Sequence, residues 1–67
     1  MGGGKAFGTI IEALPSIRFR VELADGRVLM AYLAGRLNRA MVRILIGDRV
    51  EVFVPDTGSI CRITRRL

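Results

Sequence analysis

Arginine is the residue type in this sequence whose chemistry points most directly to a binding partner. Ten of the 67 residues are arginine and one is lysine, against six carboxylates, which gives a formal net charge of +5. The guanidinium group offers a planar fork of donors that matches phosphate oxygens and base edges, and it stacks on bases. So large a basic excess in so short a chain predicts a nucleic-acid partner rather than a merely solvated surface.

The arginines that could bind RNA fall into three groups along the chain. The groups are Arg18 and Arg20, then Arg36, Arg39 and Arg43, and finally Arg62, Arg65 and Arg66. On a small domain we expect them to share a surface and follow a phosphate backbone. Tyr32 lies near the central group in the sequence. For its ring, stacking on a base and packing in the core are equally favoured. Because aromatic residues are few, we expect folded RNA to be recognised by shape and phosphate rather than a single strand by stacking.

Few side chains suit catalysis or metal binding. The sequence has no histidine, which is the usual general base at neutral pH and the commonest metal ligand. Cys61 is the one cysteine, and its alternating surroundings predict a small buried residue rather than a nucleophile. Asp25, Asp48 and Asp56 lie at turns, where aspartate satisfies nearby backbone groups. We therefore expect no enzyme activity, no cofactor and no metal.

The elements that position these residues follow from the alternation of apolar and polar side chains. Five strands are predicted: Phe7 to Leu14, Ile17 to Leu23, Arg27 to about Leu33, residues 49–54, and Ser59 to about Arg65. Asp25 and Gly26 predict a tight hairpin turn between the second and third strands. A short helix is predicted from Arg36 to Val42, and residues 1–6 are interpreted as a flexible glycine-rich arm.

This order of elements predicts an all-β fold, a five-stranded antiparallel OB-fold barrel with a short helix between strands three and four. A barrel with another connectivity is the rival interpretation. Residues 7–67 would form one RNA-binding domain, since a chain of this length has room for a single core. No apolar run approaches the ~20 residues that a membrane span needs, so no membrane association is expected.

The order of motifs also resembles bacterial-type translation initiation factor one. The matching residues run from Gly8 to Pro15 and from Phe19 to Leu23, continue at Asp25 and Gly26, and extend through 42–45, 47–50 and 62–63. What the resemblance implies is an OB-fold protein that binds rRNA at the aminoacyl-tRNA decoding site of the small ribosomal subunit. It also implies cooperation with the other two initiation factors during assembly of the initiation complex.

The resemblance further implies which residues contact RNA. Arg43, Arg62 and Arg66 match basic positions of the family pattern, and Arg36 and Arg39 stand where the family usually has lysine. Together with the residue patterns, this predicts seven RNA-binding residues: Arg18, Tyr32, Arg36, Arg39, Arg43, Arg62 and Arg66. A monomer is expected, in the cytoplasm or, if the divergent arm and helix mark an organellar member, in a plastid.

Two other functions stay open on the sequence alone. One is an RNA chaperone similar to cold-shock proteins, which would bind single strands loosely and without a ribosome. The other is a minimal barrel whose RNA-binding role has been lost. Binding to purified small subunits distinguishes these hypotheses from the initiation factor.

Overall fold

The computed structural model describes residues 3–40, 42–58 and 60–67, which form five strands and one helix. The elements are β1 (Gly4–Leu14), β2 (Arg18–Leu23), β3 (Val28–Leu33), α1 (Gly35–Arg39), β4 (Arg49–Val54) and β5 (Ile60–Arg66). The strands close into a barrel in the order β1-β2-β3-β5-β4. The predicted OB-fold barrel, with a short helix between strands three and four, is confirmed.

One strand pair differs from the fully antiparallel barrel that was predicted. β3 and β5 run parallel, with Tyr32 opposite Arg62, whereas the other four pairs are antiparallel. The reason is geometric, because strand directions cannot alternate all the way around a closed ring of five. Parallel neighbours need a long crossover connection, and α1 and β4 lie in that connection.

β1 is long because it pairs with two neighbours in succession. Residues from Gly4 to Thr9 pair with β4, and residues from Gly8 to Leu14 pair with β2. The predicted boundary of the arm is therefore wrong, since residues 4–6 are strand rather than arm. Glycine gives a weak strand signal, and pairing with β4 outweighs that local preference. Met1 and Gly2 lie outside the described residues, so the flexibility of the arm stays a prediction.

Gly8 lies where β1 passes from one partner to the other. A β-carbon added to it would come within 2.6 Å of Val21 Cγ1 and 2.7 Å of the Glu22 carbonyl oxygen. Real β-carbons do not approach other atoms so closely. The absence of a side chain at Gly8 therefore allows β2 to cross close to β1 at this point.

The barrel interior is filled by the inward-facing residues of all five strands. They are Ile10, Phe19, Val21, Leu23, Ala31, Val50, Val52, Cys61 and Ile63, joined by Ile44 from the loop before β4. Each is at most 7% exposed. The predicted burial of Cys61 is confirmed. Six half-buried apolar residues pack against this core: Ala6, Leu29, Leu33, Leu37, Val42 and Val54.

The turn between β1 and β2 places a β-branched residue in the left-handed region. Ser16 and Ile17 have φ angles of 65° and 55°. Ile17 was predicted to begin strand two, and this is wrong, because it belongs to the turn and is 58% exposed. The three-residue connection from Leu14 to Arg18 requires this backbone conformation, which overrides the alternating pattern.

Two of the predicted aspartate turns are built as expected. Asp25 Oδ1 accepts a hydrogen bond from the Arg27 amide at 3.0 Å, and Asp48 Oδ2 accepts one from the Leu45 amide at 2.9 Å. The bond from the Arg27 amide holds the pKa of Asp25 below its ordinary value, because it favours the charged form of the carboxyl group. Each carboxylate thereby fixes its own turn.

The helix is shorter than predicted. It ends at Arg39, with Ala40 as the C-terminal cap, and Val42 lies in the loop beyond. Met41, which falls within the predicted helix, lies outside the described residues. Within the ranges described, no helix has the length and apolar character needed to cross a membrane.

Candidate nucleic-acid interface

Five residues, one from each strand, form a continuous row across the outside of the barrel. The register pairs Arg18 with Tyr32, Tyr32 with Arg62, Arg62 with Phe53, and Phe53 with Lys5. Residues paired in this way carry their side chains on the same face of the sheet. Cations and aromatic rings therefore alternate along what we call the cation-aromatic row.

The row faces solvent because the neighbouring residues on the same strands fill the core. Phe19, Ala31 and Cys61 each follow or precede a member of the row, and all three are buried. Since side chains alternate along a strand, Arg18, Tyr32 and Arg62 must point outward. Tyr32 is 43% exposed. The ring is thus accessible to a ligand, which favours the stacking interpretation of this residue over core packing.

Arg62 and Phe53 contact each other within the row. The guanidinium carbon of Arg62 lies over the Phe53 ring, 5.4 Å from its centroid. A cation at this distance is attracted by the electron-rich face of the ring. The contact therefore holds the Arg62 guanidinium group beside the Phe53 ring on the outer face of the barrel.

Three arginines outside the predicted RNA-binding set are occupied by carboxylates. The pairs are Arg20 with Glu12, Arg27 with Asp25 and Arg65 with Glu51, at distances of 2.9, 2.9 and 4.0 Å. Among the described residues, no carboxylate forms an ion pair with five of the predicted arginines: Arg18, Arg36, Arg39, Arg43 and Arg62. Their charges are thus available to a ligand.

Among the described residues, Arg66 is the one predicted RNA-binding arginine that lies within ion-pair distance of a carboxylate. Its Nε lies 3.6 Å from Asp48 Oδ2, and its Nη1 donates a 3.3 Å hydrogen bond to the carbonyl oxygen of Arg43. Asp48 is fixed in turn by the Leu45 amide. These contacts join the end of β5 to the loop before β4, and they bring Arg43 and Arg66 together.

Arg36 and Arg39 lie exposed on α1, which packs against the barrel through half-buried Leu37. A groove of about 430 Å³ separates the helix from the end of β5, and its walls include Arg66. The predicted residues thus form two sets. Arg18, Tyr32 and Arg62 share the cation-aromatic row, whereas Arg36, Arg39, Arg43 and Arg66 surround α1 and the end of β5.

Two members of the row were missed by the sequence prediction. Lys5 was assigned to the arm, and Phe53 was not among the seven predicted RNA-binding residues. Phe53 is out of phase with Val50, Val52 and Val54, and that phase was the available signal for an outward ring. No signal in the sequence could identify Lys5, because it joins the row only when closure of the barrel pairs β1 with β4.

The Cys61 thiol is fully buried and donates a weak hydrogen bond to the Met30 carbonyl oxygen at 3.6 Å. Burial raises the pKa of this thiol above its ordinary value, so it stays protonated at neutral pH. In the described parts of the chain, histidine, cysteine, aspartate and glutamate form no cluster of three that could hold a metal ion.

Comparison with solved structures places this barrel in a family. The solution structure of translation initiation factor one from the Wolbachia endosymbiont strain TRS of Brugia malayi superimposes with a TM-score of 0.79 and 33% sequence identity. The match covers 96% of this chain and 77% of that one. This chain belongs to the family of translation initiation factor one. The predicted resemblance is confirmed.

The initiation-factor barrel also resembles part of a longer protein. The crystal structure of YjeQ from Thermotoga maritima matches with a TM-score of 0.77 and 26% identity. That match covers 96% of this chain but only 23% of YjeQ. No protein-family model matches the chain. Membership of the initiation factor one family supports a role as an initiation factor or RNA-binding protein.

Proposed function

We propose that this member of the initiation factor one family binds rRNA at the aminoacyl-tRNA decoding site of the small ribosomal subunit and assists assembly of the initiation complex. It acts by occupying the site through shape and charge, without catalysis. One observation carries the proposal. On a barrel of this family, five exposed arginines form no ion pair with a carboxylate among the described residues: Arg18, Arg36, Arg39, Arg43 and Arg62.

The charge distribution supports binding to a phosphate backbone. The carboxylates of Glu12, Asp25 and Glu51 neutralise arginines elsewhere, while most of the predicted binding arginines keep their charge. Each arginine that neutralises a phosphate releases a counterion, so binding should weaken steeply with salt. We further propose that the protein works as a monomer in the cytoplasm, alongside the other initiation factors.

Co-sedimentation with purified small subunits tests the proposal. We expect saturable binding of one protein per subunit, and a lower affinity for Arg43→Ala and Arg62→Ala. Each substitution should also reduce the slope of log affinity against log salt by about one. Arg27→Ala is the matched control, since it removes a charge that Asp25 already neutralises. Parent-like binding by both test variants would contradict the assignment.

A general RNA-binding or chaperone role is the second candidate, favoured by the two outward rings of Tyr32 and Phe53. It predicts preference for unstructured oligonucleotides and no saturable complex with the subunit. A competition experiment, with labelled protein, small subunits and an excess of oligonucleotide, distinguishes the two functions. Retention of the subunit complex supports the initiation factor.

A further inference from the structure

We propose that Arg66 and Asp48 are positioning residues, which hold the Arg43 segment in place for RNA, and that Arg66 itself does not contact a phosphate. The Arg43 segment is defined as residues 42–45, which precede the turn before β4. The inference rests on the proposed function in taking Arg43 as an RNA contact. It gives Arg66 a different role from the RNA contact that the sequence predicts.

The backbone of the Arg43 segment is bonded only near its two ends in the described parts of the chain. The Val42 amide donates to the Leu37 carbonyl oxygen at 3.2 Å, and the Leu45 carbonyl oxygen accepts from the Asp48 amide at 3.0 Å. No strand ladder includes the segment, and neither of these bonds involves Arg43. The placement of Arg43 therefore depends on the bond that its carbonyl oxygen accepts from a side chain.

Arg66 supplies that bond from a strand end that is itself fixed. Its Nη1 donates a 3.3 Å hydrogen bond to the Arg43 carbonyl oxygen. In the sheet, Arg66 lies opposite Val50 of β4. The next residue, Leu67, donates its amide to the carbonyl oxygen of Arg49 at 2.9 Å. The backbone of Arg66 is thus held on both sides, so its guanidinium group can restrain the less bonded segment.

Asp48 sets the direction of the Arg66 guanidinium group. Its Oδ2 lies 3.6 Å from Arg66 Nε and also accepts the Leu45 amide at 2.9 Å. The carbonyl oxygen of Asp48 accepts from the Ile10 amide of β1 at 2.9 Å. Asp48 is therefore an anchored acceptor. A planar guanidinium group has donors at fixed angles, so one arginine can face this carboxylate and the Arg43 carbonyl group together.

The same contacts make Arg66 unsuited to a phosphate. Two of its three guanidinium nitrogens face oxygens of the protein, and a phosphate beside them would be repelled by the Asp48 carboxylate. Arg43 has the opposite arrangement. Its carbonyl oxygen is held, while its exposed side chain forms no ion pair with a described carboxylate. A cation on a restrained backbone loses less freedom on binding than one on a mobile loop.

Small-subunit binding across a series of salt concentrations distinguishes positioning from phosphate contact. Arg66→Ala should weaken binding by about fivefold, because Arg43 must then be ordered during binding. The slope of log affinity against log salt should stay that of the parent, since no phosphate contact is lost. Arg43→Ala should instead reduce the slope by about one. An equal reduction of the slope in Arg66→Ala would overturn the proposal.

Asp48→Asn gives results of opposite sign for the two roles of Arg66. The substitution removes a negative charge and keeps an acceptor for the Leu45 amide. If Arg66 contacted a phosphate, loss of the competing carboxylate would leave binding equal or tighter. A positioning role predicts binding weaker by about threefold, because the guanidinium group loses its charged partner. The comparison is made at about 0.15 M salt, where distant charges are screened. Equal or tighter binding overturns the proposal.

Two further variants show whether Arg66 acts through Arg43. Arg66→Lys keeps the charge but loses the planar group, so it should weaken binding as Arg66→Ala does. The double variant Arg43→Ala/Arg66→Ala should bind no more weakly than Arg43→Ala alone. Arg65→Ala is the matched control, since it removes the neighbouring cation, which is 67% exposed, and it should bind like the parent. Parent-like binding by Arg66→Lys, or additive losses in the double variant, overturns the proposal.

A measurement on the free protein separates this inference from the proposed function. Amide relaxation by NMR should show lower order parameters at Arg43 and Ile44 in Arg66→Ala and Asp48→Asn, but not in Arg65→Ala. Thermal unfolding confirms that each variant is folded. If the parent does not sediment with small subunits, the proposed function is wrong, and the relaxation data alone decide whether the contact holds the segment. Unchanged order in both variants overturns the positioning role and leaves the proposed function intact.

Discussion

The guanidinium carbon of Arg62 lies 5.4 Å from the centroid of the Phe53 ring. The two residues are directly opposite each other on β5 and β4, on the outer face of the barrel. A contact of this kind at an exposed site stabilises a protein by about 0.5 to 1 kcal/mol.

A double-mutant cycle measures this contact. Arg62→Ala, Phe53→Ala and the double variant should show a coupling energy of about 0.5 to 1 kcal/mol in urea unfolding. Phe53→Ala alone will also lose packing, but the cycle cancels that loss. Simple additivity of the two single changes would mean that the ring does not attract the cation.

Gly8→Ala tests the close approach of β2 to β1. The added methyl group would lie 2.6 Å from Val21 Cγ1 and 2.7 Å from a backbone oxygen, and only the first of these atoms can move cheaply. We expect a loss of about 1 to 3 kcal/mol in the free energy of unfolding. Gly4→Ala is the control, since its β-carbon would meet nothing within 4 Å. Equal stabilities of the two variants would refute the explanation.

Ile17→Asn tests the backbone conformation of the first turn. Ile17 has a φ of 55°, where a β-branched side chain is strained, and asparagine tolerates this region. Because the isoleucine is largely exposed, little apolar contact is lost, and we expect stabilisation of about 1 kcal/mol. Ile46→Asn serves for comparison, as Ile46 is 66% exposed and has no positive φ. Destabilisation by Ile17→Asn would show that packing outweighs strain.

Two substitutions of Asp48 distinguish how much its hydrogen bond in the turn and its ion pair with Arg66 each contribute to stability. Asp48→Ala removes both the bond from the Leu45 amide and the contact with Arg66, and it should cost about 1 to 2 kcal/mol of stability. Asp48→Asn keeps an acceptor for the amide, so it should cost under about 1 kcal/mol. Chemical denaturation of the two variants gives the comparison. If the asparagine variant is as unstable as the alanine variant, the ion pair dominates.

The buried thiol predicts a dependence of stability on alkaline pH. Burial raises the pKa of Cys61 in the folded protein above the ordinary value of 9.0, so the folded state holds this proton more tightly than the unfolded state. The resulting stability is present below about pH 9 and declines as the pH rises through the folded pKa. Urea unfolding between about pH 7 and pH 10.5 should show a steeper decline in the parent than in Cys61→Ala. Parallel profiles would exclude the thiol as the cause.

The sequence alone determined the strands of the barrel, since period-two alternation makes a strand bury one face. Phe19, Val21 and Leu23 alternate with polar residues along the second strand, and all three are buried. The turns at Asp25 and Asp48 could also be predicted from the local sequence, because each carboxylate accepts a hydrogen bond from an amide two or three residues away. The family resemblance came from motifs in order along the chain.

Only the tertiary structure decided which outer residues meet. Arg18, Tyr32, Arg62, Phe53 and Lys5 are far apart in sequence, and closure of the barrel sets the register that aligns them. The parallel pairing of β3 with β5 follows from closure of an odd number of strands, which no local pattern encodes. The strand character of residues 4–6 likewise depends on β4, because backbone hydrogen bonds across the sheet hold glycine in a conformation that it does not prefer alone.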